Sequence, residues 1–299
     1  MKRPKLSIII LNYNTVNLTR DCLASIKKNR NEVPHEIIVS DNGSTDGSIE
    51  MIKKEFPWVK LIENGANLGF AKGNNRARKF AKGKYVLFLN TDTIVKKGTL
   101  RETVKYMDEH PDVGALSCRL VLADTSLDRD ARRGFPTPWV SLTHFSGLDK
   151  IFPNSRLLAK YWYGGVPEDR VQEVDVIQGA YFLSPKRLLD KVGWFDEDYF
   201  LDGEDIDLCW KITKAGYKII YYPEAEIIHL KGATKGKNKK ARVKVSLKNK
   251  IKFRISSVYS MEIFYRKRLW KNYPLLLNIL VLIGIKCLKL ARLIKLLLS

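Results

Sequence analysis

Cysteine is scarce in this chain and poorly placed for shared chemistry. Four thiols in 299 residues, at positions 22, 118, 209 and 287, never fall at close ligand spacing. That excludes a zinc ribbon or a disulfide framework and fits a reducing compartment. No apolar signal region precedes the first strand-like segment at Leu6, so secretion is not expected. Nor does any apolar run reach the roughly 20 residues that a spanning helix needs. Internal repeats are absent, and low complexity is confined to the Lys-rich stretch Lys231–Lys244. Acid is the other shortage. From Lys231 to Ser299 the single carboxylate side chain, Glu262, stands against nineteen Lys or Arg, so this segment holds +18 of the total +21 and the first 230 residues carry only +3. A near-neutral body with a strongly basic tail attracts polyanions: an anionic membrane surface, a lipid phosphate or nucleic acid.

What is present in the first half is alternation. Leu6–Leu11 is a continuous apolar run centred on Ile8-Ile9-Ile10, the pattern of a strand buried on both faces. Glu36–Ser40, Val59–Glu63, Tyr85–Asn90 and Val113–Cys118 repeat it, with helix-like segments near Asn17–Lys28, Ser48–Phe56, Phe70–Ala81 and Thr99–His110. Such alternation predicts an α/β fold with a mostly parallel sheet and helices on both faces.

The segments that follow the strands are rich in small polar residues. They are Asn12-Tyr13-Asn14, Asp41–Gly47, Asn67–Asn74 and Asn90-Thr91-Asp92. Asx and Gly dominate ordinary turns, so one such loop means little. Four on one edge of a sheet point to a ligand, because open α/β sheets bind in the crevice beyond the strand ends. Asp41 is suited to accept hydrogen bonds from a base or ribose, and Gly69 and Gly73 allow a ligand close to the backbone. A second acidic cluster, Gly203-Glu204-Asp205-Ile206-Asp207, opens a helix-like segment. Acids there serve as caps in many helices. Paired with Asp92, however, they also offer one carboxylate for a divalent cation on a diphosphate and another to take a proton from an attacking group.

These segments, in order, resemble the family 2 glycosyltransferases of the GT-A fold, and among them the bacterial rhamnosyltransferase-like enzymes. The residues concerned are Ser7–Asn14, Asp41–Gly47, Asn67-Leu68-Gly69-Phe70, Asn90-Thr91-Asp92, Arg132–Pro138, Gln178-Gly179-Ala180 and Asp202–Lys211, within a span of roughly 5–235. The resemblance implies a nucleotide-sugar donor, a divalent metal on its diphosphate, and single displacement with inversion. It implies donor contacts at Asn12, Asn14, Asp41, Asn67, Gly69, Asn90, Thr91 and Asp92, and an acceptor side at Gln178, Gly179 and Glu204. Asp205 would be the general base, with Glu204 beside it. Asp92 matches the last acid of the family's metal-binding Asp-x-Asp element, and Asn90 replaces the first. His229 would complete the metal shell or touch the diphosphate, and the oxygen-rich ligands suit Mn²⁺ or Mg²⁺. Glu204 and Asp207 place like charge beside Asp205, which favours base strength. The resemblance also divides the chain: a catalytic domain over 1–235, with its donor half at about 1–118 and acceptor half at about 119–235, then a basic tail over 236–299.

In the tail, Lys231–Lys240 is expected to be either a lid over the donor or a plain charged loop. Beyond it, Lys271, Asn278, Lys286, Lys289, Arg292 and Lys295 fall within one half of a helical wheel and leucines and isoleucines fill the other. That pattern predicts an amphipathic helix in the interface of an anionic membrane, with Trp270 and Tyr273 as belt residues. A helix docked on protein is its rival. Together these readings give a cytoplasmic enzyme attached peripherally to the inner face of the membrane, moving a sugar, rhamnose as first choice, from dTDP or UDP to a lipid-linked or cell-surface glycan. Two alternatives are a metal-dependent nucleotidyltransferase and a non-catalytic adaptor acting through the tail. Nucleic acid is not the expected partner, since no recognition-helix or RNA-binding motif accompanies the aromatic-basic mixture.

Overall fold

The computed structural model describes residues 3–231 and 247–297. Beyond Lys231, the expected lid lies outside the described residues. The chain runs β1 (Leu6–Asn12), α1 (Val16–Lys28), β2 (His35–Asp41), α2 (Ser48–Glu55), β3 (Lys60–Glu63), α3 (Phe70–Asn75), β4 (Tyr85–Asn90), β5 (Thr93–Val95) and α4 (Thr99–Glu109). It continues through β6 (Val113–Val121), α5 (Pro138–Phe145), α6 (Leu148–Ile151), β7 (Gln172–Glu173), β8 (Tyr181–Pro185) and α7 (Lys186–Val192). Then come α8 (Glu204–Lys214), β9 (Lys218–His229), α9 (Leu247–Phe264) and α10 (Leu275–Leu297).

Among the described residues the strands form one sheet in the order β3-β2-β1-β4-β8-β6-β9-β5, with β7 also on β9. The part of the sheet built from β1 to β4 is parallel, as the apolar runs require: β1 pairs with β2 and β4, and β2 with β3. Beyond β4 the sheet is mixed, because β8 enters antiparallel between β4 and β6. Ile8, Ile9 and Ile10 are fully buried, each worth about 1.5–3 kcal/mol of transfer free energy. The register sets Asn12 opposite Asp41 and Leu11 opposite Asn90, so the polar loops leave one common edge. A second register matters as much. Thr93 of β5 pairs with His229 of β9, which brings the end of the long C-terminal strand beside Asp92.

One predicted helix is shorter than its pattern. Instead of continuing to Ala81, α3 stops at Asn75 and a separate 3₁₀ turn covers Arg78–Phe80. Gly73, Asn74 and Asn75 are weak helix formers, and the Asn75 amide leaves to bond the Phe195 carbonyl at 2.9 Å.

The C-terminal helices pack on protein. Tyr199, Val258, Phe264, Tyr265, Leu269 and Ile285 form a second buried cluster, and Phe135 meets Trp210 edge-on and Phe264 face-on. Ser256 and Ser260 hydroxyls both donate to the Leu201 carbonyl, at 2.9 and 3.2 Å. Asn278, placed by the wheel on a solvated basic face, is buried instead. Its amide donates to the Trp270 and Tyr273 carbonyls, and its oxygen accepts from the Tyr265 hydroxyl at 2.6 Å. Lys289 and Arg292 turn toward α9, bonding Tyr259 and Ser257. The outward side of α10 carries Leu275, Leu276, Ile279, Leu280, Ile283, Leu290 and Ile294. No helix among the described residues is long and apolar enough to cross a membrane.

Candidate active site

The strand ends open on a cleft of about 390 Å³, within the range of small-molecule sites. Its wall includes Leu11, Tyr13, Thr15, Asn42, Asn67, Gly69, Asn90, Thr91 and Asp92 from the donor half. Asp130, Arg133, Gln178, Gly179, Asp202, Glu204, Asp205, His229 and Lys231 also line it.

Three residues expected to touch the donor stand behind that wall. Asn12 donates to Asp41 Oδ2 at 2.6 Å and to Ser44 Oγ at 3.0 Å. Asp41 is fully buried, and its Oδ1 accepts from the backbone of Gly43 and Ser44. Asn14, at φ 52°, accepts from the Thr45 amide through Oδ1. Their polar atoms are spent on shaping the loop, a positioning role. Asn67 and Gly69 do line the cleft. Gly69 sits at φ +84°, and a Cβ there would come within 2.5 Å of the Phe200 carbonyl oxygen, so only glycine suits the position.

The opposite register pairing builds a compact charged cluster. His229 Nε2 lies 3.4 Å from Asp92 Oδ1 and its Nδ1 lies 2.8 Å from Asp128 Oδ2, all three residues nearly fully buried. Burial alone would lower the imidazole pKa, but hydrogen bonding and charge from Asp128 and Asp92 outweigh it and raise the value to about 9. Asp128 is itself pulled down to about 2, burial being overcome by His229 and Lys231. Lys231 reaches Asp128 at 2.5 Å and Asp130 at 2.6 Å. Asp92 Oδ1 is buried with only the long 3.4 Å contact from His229 Nε2 to satisfy it, and a carboxylate oxygen and an imidazole nitrogen this close suit one divalent cation. Among the described residues no group of three or more His, Cys, Asp or Glu could cage a metal. A cation here would therefore take most of its ligands from a bound diphosphate. Asp128, on the far ring nitrogen, fixes the imidazole so that Nε2 faces Asp92, the usual arrangement behind a metal-binding histidine.

Helix α8 begins at Gly203 (φ 93°) with Glu204, Asp205 and Asp207 in its first turn, where acids complement the helix dipole. The three face different neighbours. Asp205 Oδ2 accepts from Arg133 Nη2 at 2.6 Å and from the Gly179 amide at 3.4 Å, while Oδ1 accepts from its neighbour Ile206. Asp207 faces away from the cleft and accepts from Arg268 Nε and Nη2 at 2.6 and 3.1 Å. The expected crowding of like charge is thus offset pairwise by two guanidiniums. Glu204 and Gln178 stay in the wall, and Gln178 Oε1 is buried without a partner.

Sequence reading noticed the Arg132–Pro138 segment but assigned Arg133 no role, and it missed Asp128 entirely. Asp128 carries no local signal: it lies 101 positions from His229, and only the pairing of β5 and β6 with β9 joins them.

Residues 7–159 match glycosyl transferase family 2, and residues 85–298 match glycosyl transferase family group 2. The chain belongs to the family 2 glycosyltransferases. The second match extends through the C-terminal helices, beyond the 5–235 span of the motifs. The N-acetylglucosaminyl-diphospho-decaprenol L-rhamnosyltransferase of Mycobacterium tuberculosis is 28% identical over 218 residues, 69% of this chain and 70% of the relative. Rhamnosyltransferase WbbL of Escherichia coli is 28% identical over 233 residues, 74% of this chain and 82% of the relative. Among solved structures, the Pyrobaculum calidifontis mannosyltransferase PcManGT, in complex with GDP-Man and Mn²⁺, superposes with a TM-score of 0.56 at 22% identity. That alignment covers 87% of this chain and 63% of the mannosyltransferase, so the chain spans just under two thirds of its length. TarS of S. aureus gives 0.54 at 17% identity over 88% of this chain and 72% of that one. These likenesses establish the GT-A type of fold. The nucleotidyltransferase and adaptor readings give way to a glycosyltransferase.

Proposed function

We propose that this enzyme transfers a sugar, rhamnose by likeness to its relatives, from a dTDP- or UDP-sugar to a lipid-linked glycan, with inversion. Residues 1–235 are the catalytic domain, the donor held in the half up to about 118 and the acceptor in the half from 119, and 236–299 form the tail. The observation that carries this reading is the pairing of two chemistries in one cleft: the buried Asp92 oxygen 3.4 Å from His229 Nε2, and Asp205 in the same wall. Asp92 and His229 would hold Mn²⁺ or Mg²⁺, which when bound supplies Lewis-acid stabilisation of the leaving diphosphate. Asn90, Thr91, Asn67 and Gly69 line the donor's place, braced from behind by Asn12, Asn14 and Asp41. Gln178, Gly179 and Glu204 line the acceptor's place. Asp205 takes the proton of the attacking hydroxyl. The outward leucine face of α10 and the basic tail support attachment to the cytoplasmic face of an anionic membrane.

Equilibrium binding of dTDP and of UDP, with and without Mn²⁺, to the wild type and to Asp92→Ala is the direct test. Metal-dependent binding of one nucleotide, lost in the variant, supports the donor site and identifies the base. Failure of both nucleotides to bind at millimolar concentration would sink it.

A further inference from the structure

The geometry points to Arg133 as the receptor for a phosphate of the acceptor, and as the group that keeps Asp205 locked until that acceptor arrives. This rests on the lipid-linked acceptor proposed above and adds to it a subsite and an order of events. The wall of the cleft carries five carboxylates, Asp92, Asp130, Asp202, Glu204 and Asp205. A saccharide on a lipid diphosphate brings a second anion into that acidic surface, beside the donor's own, and the repulsion must be met by a cation. Lys231 is committed to Asp128 and Asp130, and His229 to Asp128 and Asp92. Arg133 is not exhausted. Its Nη2 holds Asp205, but its Nε is buried and has no partner. Burial opposes the charged guanidinium, yet Asp205 outweighs that and keeps it protonated. A planar guanidinium with donors to spare matches phosphate oxygens two at a time.

The order of groups agrees. In the acceptor, the reacting hydroxyl is followed by the diphosphate and then by hydrocarbon. In the protein, Asp205 is held by Arg133, and five positions further along the chain begins α5, which exposes Trp139, Leu142 and Phe145. Between Gly134 and Pro167 the single acid is Asp149, buried against His144, so nothing there repels an anionic lipid.

The lock follows from the same contacts. With Arg133 and Gly179 on Oδ2 and Ile206 on Oδ1, both oxygens of Asp205 are engaged. Separating a buried ion pair is costly unless another anion takes the released cation. The acceptor's phosphate is that anion: it draws the guanidinium away and frees Oδ2 to take the hydroxyl proton. Without acceptor the carboxylate stays engaged, and water is not activated against the donor.

The test compares wild type, Arg133→Lys and Arg133→Gln on N-acetylglucosamine carried by a short polyprenyl diphosphate and on the same sugar as a neutral alkyl glycoside. Donor hydrolysis is measured without acceptor, and Mn²⁺-dependent nucleotide binding reports whether each variant is folded. The expected result for Arg133→Gln is a loss of tenfold or more in the diphosphate-over-neutral preference, chiefly through KM, with donor hydrolysis rising severalfold. Arg133→Lys should restore part of both. Equal loss on the two acceptors without extra hydrolysis would overturn the inference, because a merely structural arginine behaves that way. If Arg133→Gln fails to bind nucleotide, the same two ratios in Arg133→Lys decide. A wild-type preference kept intact in the variants defeats the inference alone. A wild type that ignores the diphosphate defeats the acceptor reading with it.

Discussion

The wall of the cleft and the loops behind it use polar residues in opposite ways. Behind the wall at the ends of β1 and β2, Asn12 and Asp41 bond each other and the loop backbone, and Asn14 bonds Ser44 and Thr45, while the apolar strands beneath hold them in register. In the wall of the cleft the structure leaves buried groups in reserve: Arg133 Nε and Gln178 Oε1 have no hydrogen-bond partner, and Asp92 Oδ1 has only the His229 ring at 3.4 Å. Unpaired buried polar atoms cost free energy that a fold alone does not recover. Within the cleft the satisfied network marks scaffold and the unpaired wall atoms mark where a ligand completes the structure, whereas Asn75 Oδ1 and Asp149 Oδ1 are unpaired away from the wall. Both are equally polar in sequence, and only the accounting of partners tells them apart.

That contrast is sharpest if substitutions on the two sides fail in different ways. The largest effect is expected at Asp205. Asp205→Asn should lower kcat for transfer by about 10²–10⁴-fold while leaving metal-dependent nucleotide binding in place, as steady-state kinetics beside equilibrium binding would reveal. Next is Asp128→Asn, which removes the anion that orients His229. Mn²⁺ affinity, followed by electron paramagnetic resonance of the free ion, should drop by about 10–100-fold. On the scaffold side, Asn12→Ala leaves the buried Asp41 without its side-chain partner and should cost about 1–3 kcal/mol in denaturant unfolding, with a lowered Tm and little change in kcat for molecules that remain folded.

The smallest effect is a pH dependence. His229 has a folded value near 9, above the ordinary value of about 6.5. Its protonated form therefore contributes stability that is complete below about pH 6.5 and is lost as pH rises through about 9. The Tm advantage of the metal-free wild type over His229→Gln should shrink across that window, which a thermal melt series would record.

The donor half was legible because its signals are local. A strand buried on both faces announces itself as an apolar run, and loops that must turn tightly at its end need Asn, Asp and Gly in short order. Asp92 and Asp205 could be picked out for the same reason. What the sequence concealed is made by long-range pairing. Asp128 meets His229 across the sheet, Arg133 meets Asp205 across the cleft, and neither pair has a fixed spacing to read. The C-terminal helix shows a third kind of concealment. A wheel treats Asn278 as a surface residue because its side chain is polar. In the fold it is buried, where it serves the carbonyls freed at the turn before Pro274 and the hydroxyl of Tyr265.

The bond between Arg268 and Asp207 has a consequence in time. The loop that presents Glu204 and Asp205 is held from below by residues some sixty positions further along, through Arg268 on Asp207 and through Ser256 and Ser260 on Leu201. A chain emerging from the ribosome completes its sheet at β9 while the buried Asp207 has Lys211 at 3.8 Å but still lacks the closer guanidinium of Arg268. The shelf at the strand ends is therefore complete before the loop that presents Glu204 and Asp205 gains its last supports. Cleavage between β9 and α9 would leave the shelf standing and undo the loop.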